Sequence, residues 1–245
     1  SRQLWDNSFL IPLSALSIAA YLSFCARPAA WKLWAAGMGM VTMVLTHLMS
    51  AAVVGPILAH ALWFHRPYLR AHAATVLSIA AFAGLLLWPY VTFLRAAGAL
   101  DVPVPEFSPW KGWWFPFLGG ELFSFYGVEY FFGESWFSSG VRGIPDGMVL
   151  MLGVLTWAAL PFVWFGMVSA ARAVRDGFNT SGAPRDVDFH MAVIACAAVA
   201  AQVMLNGAMK AYGHPHYFNA SWIFYFYFFW RALGSQWAGH VTRPV

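Results

Sequence analysis

The side chains with most chemistry to offer in this chain are its eight histidines. His47 and His60 lie in one long apolar run, and His190 opens another. An imidazole in hydrocarbon must find a hydrogen-bond partner or ligate a metal, so such residues are the first candidates for a site. His47 and His60 are thirteen positions apart. At about 100° per residue they face roughly opposite sides of a straight helix, although Pro56 between them can kink it. His60 and His190 fall at similar depth in their runs. Facing each other across two helices, they match the bis-imidazole ligation of a haem b. The plainer reading is two separate interfacial histidines. His65 and His72 flank Pro67 and read as solvated.

Three further patterns carry weight. His214-Pro-His216 places two imidazoles on one face of an extended segment, with Glu129 in a facing loop, a donor set for copper, zinc or non-haem iron. Gln202, Asn206 and Lys210 recur every four residues and form one polar stripe. Interhelical hydrogen bonding accounts for such a stripe; a quinone carbonyl or a transport path would also use it. Asp186-Val-Asp188-Phe-His190 mixes carboxylate and imidazole, but acidic residues just before a helix are ordinary caps. Cys25 and Cys196 lack a CxxC partner and read as small hydrophobes.

What must position these residues follows from composition. The 245 residues are 60% hydrophobic and 10% charged, with mean hydropathy +0.61. Soluble domains carry about 25% charged residues, so this surface could not be kept wet, and a soluble enzyme or a disordered chain is excluded. The net charge of +4 is scattered rather than gathered into a basic tract, which argues against nucleic acid as a partner. Continuous apolar runs rather than alternation predict an all-α polytopic bundle in a single transmembrane domain, 1–245. About six transmembrane helices are expected, near 9–25, 35–64, 73–94, 148–171, 189–209 and 217–233. No Asp or Glu falls inside them. Small residues in the second and fifth spans favour close approach there. Between helices 3 and 4 lies a large aromatic outer loop, about 95–147, punctuated by proline and glycine. It suits an interfacial lid or the docking of a protein partner.

The balance of Lys and Arg in short loops places both termini on the cytoplasmic side, with a bacterial inner membrane as the expected residence. The functional expectation is an integral-membrane subunit of an electron-transfer or oxidoreductase complex. It would lie in the lipid bilayer among other membrane subunits and hold a haem, quinone, pigment or metal between helices 2, 5 and 6. The alternatives are a non-catalytic scaffold subunit and a transporter or channel lined by Gln202, Asn206 and Lys210.

Overall fold

The computed structural model describes residues 6–96, 146–180, 186–208 and 220–241. Among them every regular element is helical: α1 (Asp6–Ala26), α2 (Ala30–Thr46), α3 (Ala51–Phe64), α4 (Arg66–Ala71), α5 (Ala73–Ala96), α6 (Asp146–Asn179), α7 (Val187–Ala208) and α8 (Trp222–Val241), with a 3-10 turn at Leu48–Ser50. Three stretches are long and apolar enough to cross a bilayer: Phe9–Ala26, Ala73–Phe93 and Val187–Leu205. Leu48–Phe64 is apolar but shorter. The aromatic loop and the His214-Pro-His216 segment with Glu129 lie outside the described residues.

The expected long second span is two helices. His47 leaves α2 in an extended conformation, φ −156° and ψ 118°, and its Nδ1 accepts the Met49 N–H at 3.2 Å, which starts the 3-10 turn. The chain then reverses. Ser17 of α1 lies against Gly39 of α2, and Tyr21 of α1 bonds His60 of α3. On a straight helix His60 would stand about 31 Å beyond Gly39, whereas Tyr21 is only about 6 Å beyond Ser17. The break falls at His47, where a side chain takes over a backbone donor, and not at Pro56, which α3 absorbs.

This reversal brings the ends of α1 and α3 and the start of α2 to one end of the bundle. The Phe64 ring meets Phe178 of α6 and Phe189 of α7 there, at 5.9 and 5.7 Å between centroids. Helices α1 and α2, α3 and α7, and α6 and α8 make the most extensive pairs. Ala52 of α3 and Ala192, Ala195 and Ala198 of α7 are buried, so backbones of the second and fifth spans do approach closely. Helix α5 packs chiefly on α2 and exposes its apolar face along its length.

Helix α7 opens on a cap: the Asp186 carboxylate accepts the Phe189 N–H at 2.8 Å. Asp188 is held by Tyr227 at 2.9 Å and by an ion pair to Arg231, whose Nε also donates to Ser169 at 3.2 Å. These two carboxylates are therefore occupied by structure. Arg231 thus ties α6, α7 and α8 together.

Candidate metal centre

Four donors converge at the end of the bundle that the reversal creates. The ligand atoms of Cys25, His60, His65 and His190 all lie within 4.8 Å of one another. Cys25 ends α1, His60 sits one turn before the end of α3, His65 is the residue that terminates α3, and His190 stands in the first turn of α7. Local sequence explains each placement. Tyr21 and Cys25 are four apart, so α1 presents both on one face. Pro67 has no N–H to continue the α3 ladder and its ring would clash with the carbonyl four residues back, so the helix breaks at His65 and α4 restarts with Pro67 in its first turn. His65, at φ −117° and ψ 16°, packs against Phe24 at 5.0 Å and His190 at 5.6 Å between centroids.

The hydrogen bonds of the cluster are unequal. His60 is buried and fully engaged: its Nδ1 lies 2.8 Å from the Tyr21 hydroxyl and its Nε2 lies 3.0 Å from Nδ1 of His190, also buried. The partly buried Cys25 thiol lies one turn on from Tyr21, beside its hydroxyl. His65 is different. Its Nε2 is buried and has no hydrogen-bond partner among the described residues. Leaving a polar atom so costs about 1–3 kcal/mol, and a ligated ion would remove that cost. Burial also lowers the His65 pKa below its ordinary value, which keeps the ring neutral and ligand-ready at neutral pH.

The donor set fits a single transition ion. Metal–nitrogen bonds of about 2.0–2.1 Å and a metal–sulfur bond of about 2.3 Å put tetrahedral ligands roughly 3.3–3.6 Å apart. Side-chain shifts of about 1 Å close the present spread to those values. Tyr21 would then serve both His60 and Cys25: it accepts from Nδ1–H of the imidazole and donates to the thiolate, the outer hydrogen bonding that metal sites use to fix ring orientation. A haem does not fit. With the facing nitrogens of His60 and His190 3.0 Å apart, these rings leave no room between them for iron and its macrocycle.

No family model matches this chain, and no curated protein or solved structure matches it either. The site therefore stands on its own geometry.

Of the remaining candidate residues, the described His47 and Gln202 do not join the cluster. His47 lies in the α2–α3 turn, far from the cluster. Gln202 is buried and accepts the Ser221 hydroxyl at 3.1 Å, bonding α7 to the turn before α8. Asn206 falls in the last turns of α7 with its side chain outside the described residues, as Lys210, His214, His216 and Glu129 are altogether. An apolar pocket of about 200 Å³ lies apart from the cluster, lined by Ala159 and by Trp222, Tyr225, Phe226, Phe229 and Trp230 of the sixth span. Sequence reasoning found His60 and His190 but passed over Cys25, His65 and Tyr21. The signal for them was the Tyr21–Cys25 spacing together with Pro67 two positions after His65.

Tyr21→Phe is expected to leave one metal site per chain but weaken it about 10–100-fold, because only the outer hydrogen bonds are lost. A competition titration against a chelator of known affinity reads this, and an unchanged affinity would remove Tyr21 from the site.

Proposed function

We propose that this chain is an integral-membrane subunit of an electron-transfer or oxidoreductase assembly, and that its own contribution is one transition-metal centre on Cys25, His60, His65 and His190. The observation that carries the reading is His65: its Nε2 is buried without a hydrogen-bond partner among the described residues, and its ring offers a donor atom within 4.8 Å of those of Cys25, His60 and His190. Four protein donors fill a tetrahedron. Catalytic sites that activate water keep one position open, so a closed set favours holding or passing an electron over hydrolysis.

The surroundings support a site near the cytoplasmic face. Arg27, Lys32, Arg66 and Arg70 all border this end of the bundle, and the last turns of α6 bring Arg172 and Arg175 to it. Basic residues gather on the inner side of membrane proteins. On this reading α1 begins at the opposite face, so the N-terminal part of the expected topology, with both termini inside, is replaced by one with the start of α1 outside.

The test is elemental analysis of protein purified in detergent, loaded with copper, zinc or iron and washed. One equivalent is expected, and His65→Ala should reduce its retention about a hundredfold or more while the fold survives, since this ring is only partly buried. For electron transfer, the loaded centre must take up and release one electron reversibly. Wild-type protein that retains no metal, or a His65→Ala variant that retains it as tightly, would remove the metal centre. The Tyr21–His60–His190 chain would then be interhelical glue, and the scaffold reading would replace this one.

A further inference from the structure

We infer that the Cys25–His60–His65–His190 cluster selects a monovalent soft cation, Cu(I), over a divalent ion such as Zn²⁺. The inference rests on the metal-centre reading above and concerns charge. Of the four donors, three are imidazoles that ligate as neutral rings, and only Cys25 brings a negative charge when it ligates as thiolate. The two carboxylates that open α7, next to His190 in sequence, are already committed. Asp186 caps α7 through the Phe189 N–H, and Asp188 pairs with Arg231. Arg66, beside His65, is exposed and adds positive charge.

A divalent ion on this donor set therefore leaves one uncompensated positive charge among buried side chains. Cu(I) with one thiolate leaves none. Burying net charge is penalised far more than burying a neutral pair, so the site's own composition discriminates by valence. Donor softness points the same way, since thiolate favours Cu(I). Geometry adds a third reason. Cu(I) accepts two or three donors as readily as four, so Cys25 with two imidazoles can hold it before the full set, spread over as much as 4.8 Å, has closed.

The experiment uses the full chain in detergent under anaerobic, reducing conditions. Cu(I) is titrated against bicinchoninate and Zn²⁺ against a chromophoric chelator, for wild type and for His65→Cys. Wild type is expected to bind one Cu(I) at least about a thousandfold more tightly than Zn²⁺. His65→Cys supplies a second thiolate, which makes a bound divalent ion neutral. It should raise zinc affinity about a hundredfold or more and narrow the preference accordingly. Zinc that Cu(I) cannot displace from wild type, or a His65→Cys variant whose zinc affinity does not rise, would overturn the selectivity and leave the metal centre in place. Binding of neither ion would overturn both.

Discussion

His60→Ala is expected to weaken metal binding sharply and to cause a large loss of stability. His60 is the one residue that touches every layer of the cluster. It bonds Tyr21 through one ring nitrogen and His190 through the other, and it packs on Phe64 at 4.5 Å between centroids. Removing it takes a hydrogen-bond partner from two buried groups, the Tyr21 hydroxyl and the His190 ring, at up to about 1–3 kcal/mol each, and opens a cavity besides. It also deletes a ligand, so metal affinity should fall about a hundredfold or more. The structural and metal roles separate in a second variant. Tyr21→Phe with His60→Leu replaces both members of one hydrogen bond by apolar groups, which restores much of the stability because an absent pair costs less than a broken one. It restores no metal. Thermal unfolding in detergent and elemental analysis of the same samples read the two effects. If His60→Ala unfolds at the wild-type temperature, the hydrogen-bonded chain does not hold the bundle. If the double variant binds metal as tightly as wild type, His60 is not a ligand.

The same residues show how far the sequence could be read. His60 and His190 were legible as a pair because both sit near the ends of apolar runs, and depth in a bilayer follows from counting residues. The character of the chain as a helical membrane protein was legible for the same reason: helices as apolar as Phe9–Ala26 and Val187–Leu205 declare themselves by composition. Cys25 was not legible as a partner of His60, and the cause is a single topological event; His65 lies on the His60 side in either reading and was passed over because Pro67 marks its segment as a loop. A run of apolar residues from 35 to 64 has the length of one tilted crossing, and that reading puts Cys25 and His60 on opposite sides of the membrane. Only the extended backbone at His47, sealed by its own bond to Met49, folds the run back on itself. Hydropathy is blind to that event, because a side chain capping a turn and one facing a neighbour have the same transfer free energy. Gln202 illustrates the converse case. Its polarity in a span was plain, but whether it lined a path or bonded a neighbour depended on Ser221, nineteen positions away.

Gly166→Val is expected to disrupt the α6–α8 pair outright while sparing the metal donors. A Cβ built on Gly166 runs into the carbonyl group of Phe228 and stands 2.8 Å from that residue's Cα. The obstacle is backbone, so no rotamer change relieves it; the helices must separate. Gly166 and Ala170, a fully buried residue one turn on, form the small-xxx-small pattern that lets two helices touch along their backbones. Separation would also unseat the buried Phe228 ring, pull Phe162 from Phe229, now 5.8 Å apart, and break the Arg231–Ser169 bond. Overpacking of this kind costs about 1–3 kcal/mol where side chains can yield, and more where backbone is the obstacle. Gly84→Ala is the control, because a methyl there meets nothing within 4 Å. Unfolding temperatures of the two variants should differ widely, and equal values would mean that α6 and α8 do not pack as described. The four donors sit on α1, α3 with its terminating residue, and α7, none of them on the damaged pair. Under folding conditions Gly166→Val should thus still bind one metal ion per chain. Loss of metal there would show that Arg231, through Asp188, sets the position of His190 two residues further along α7.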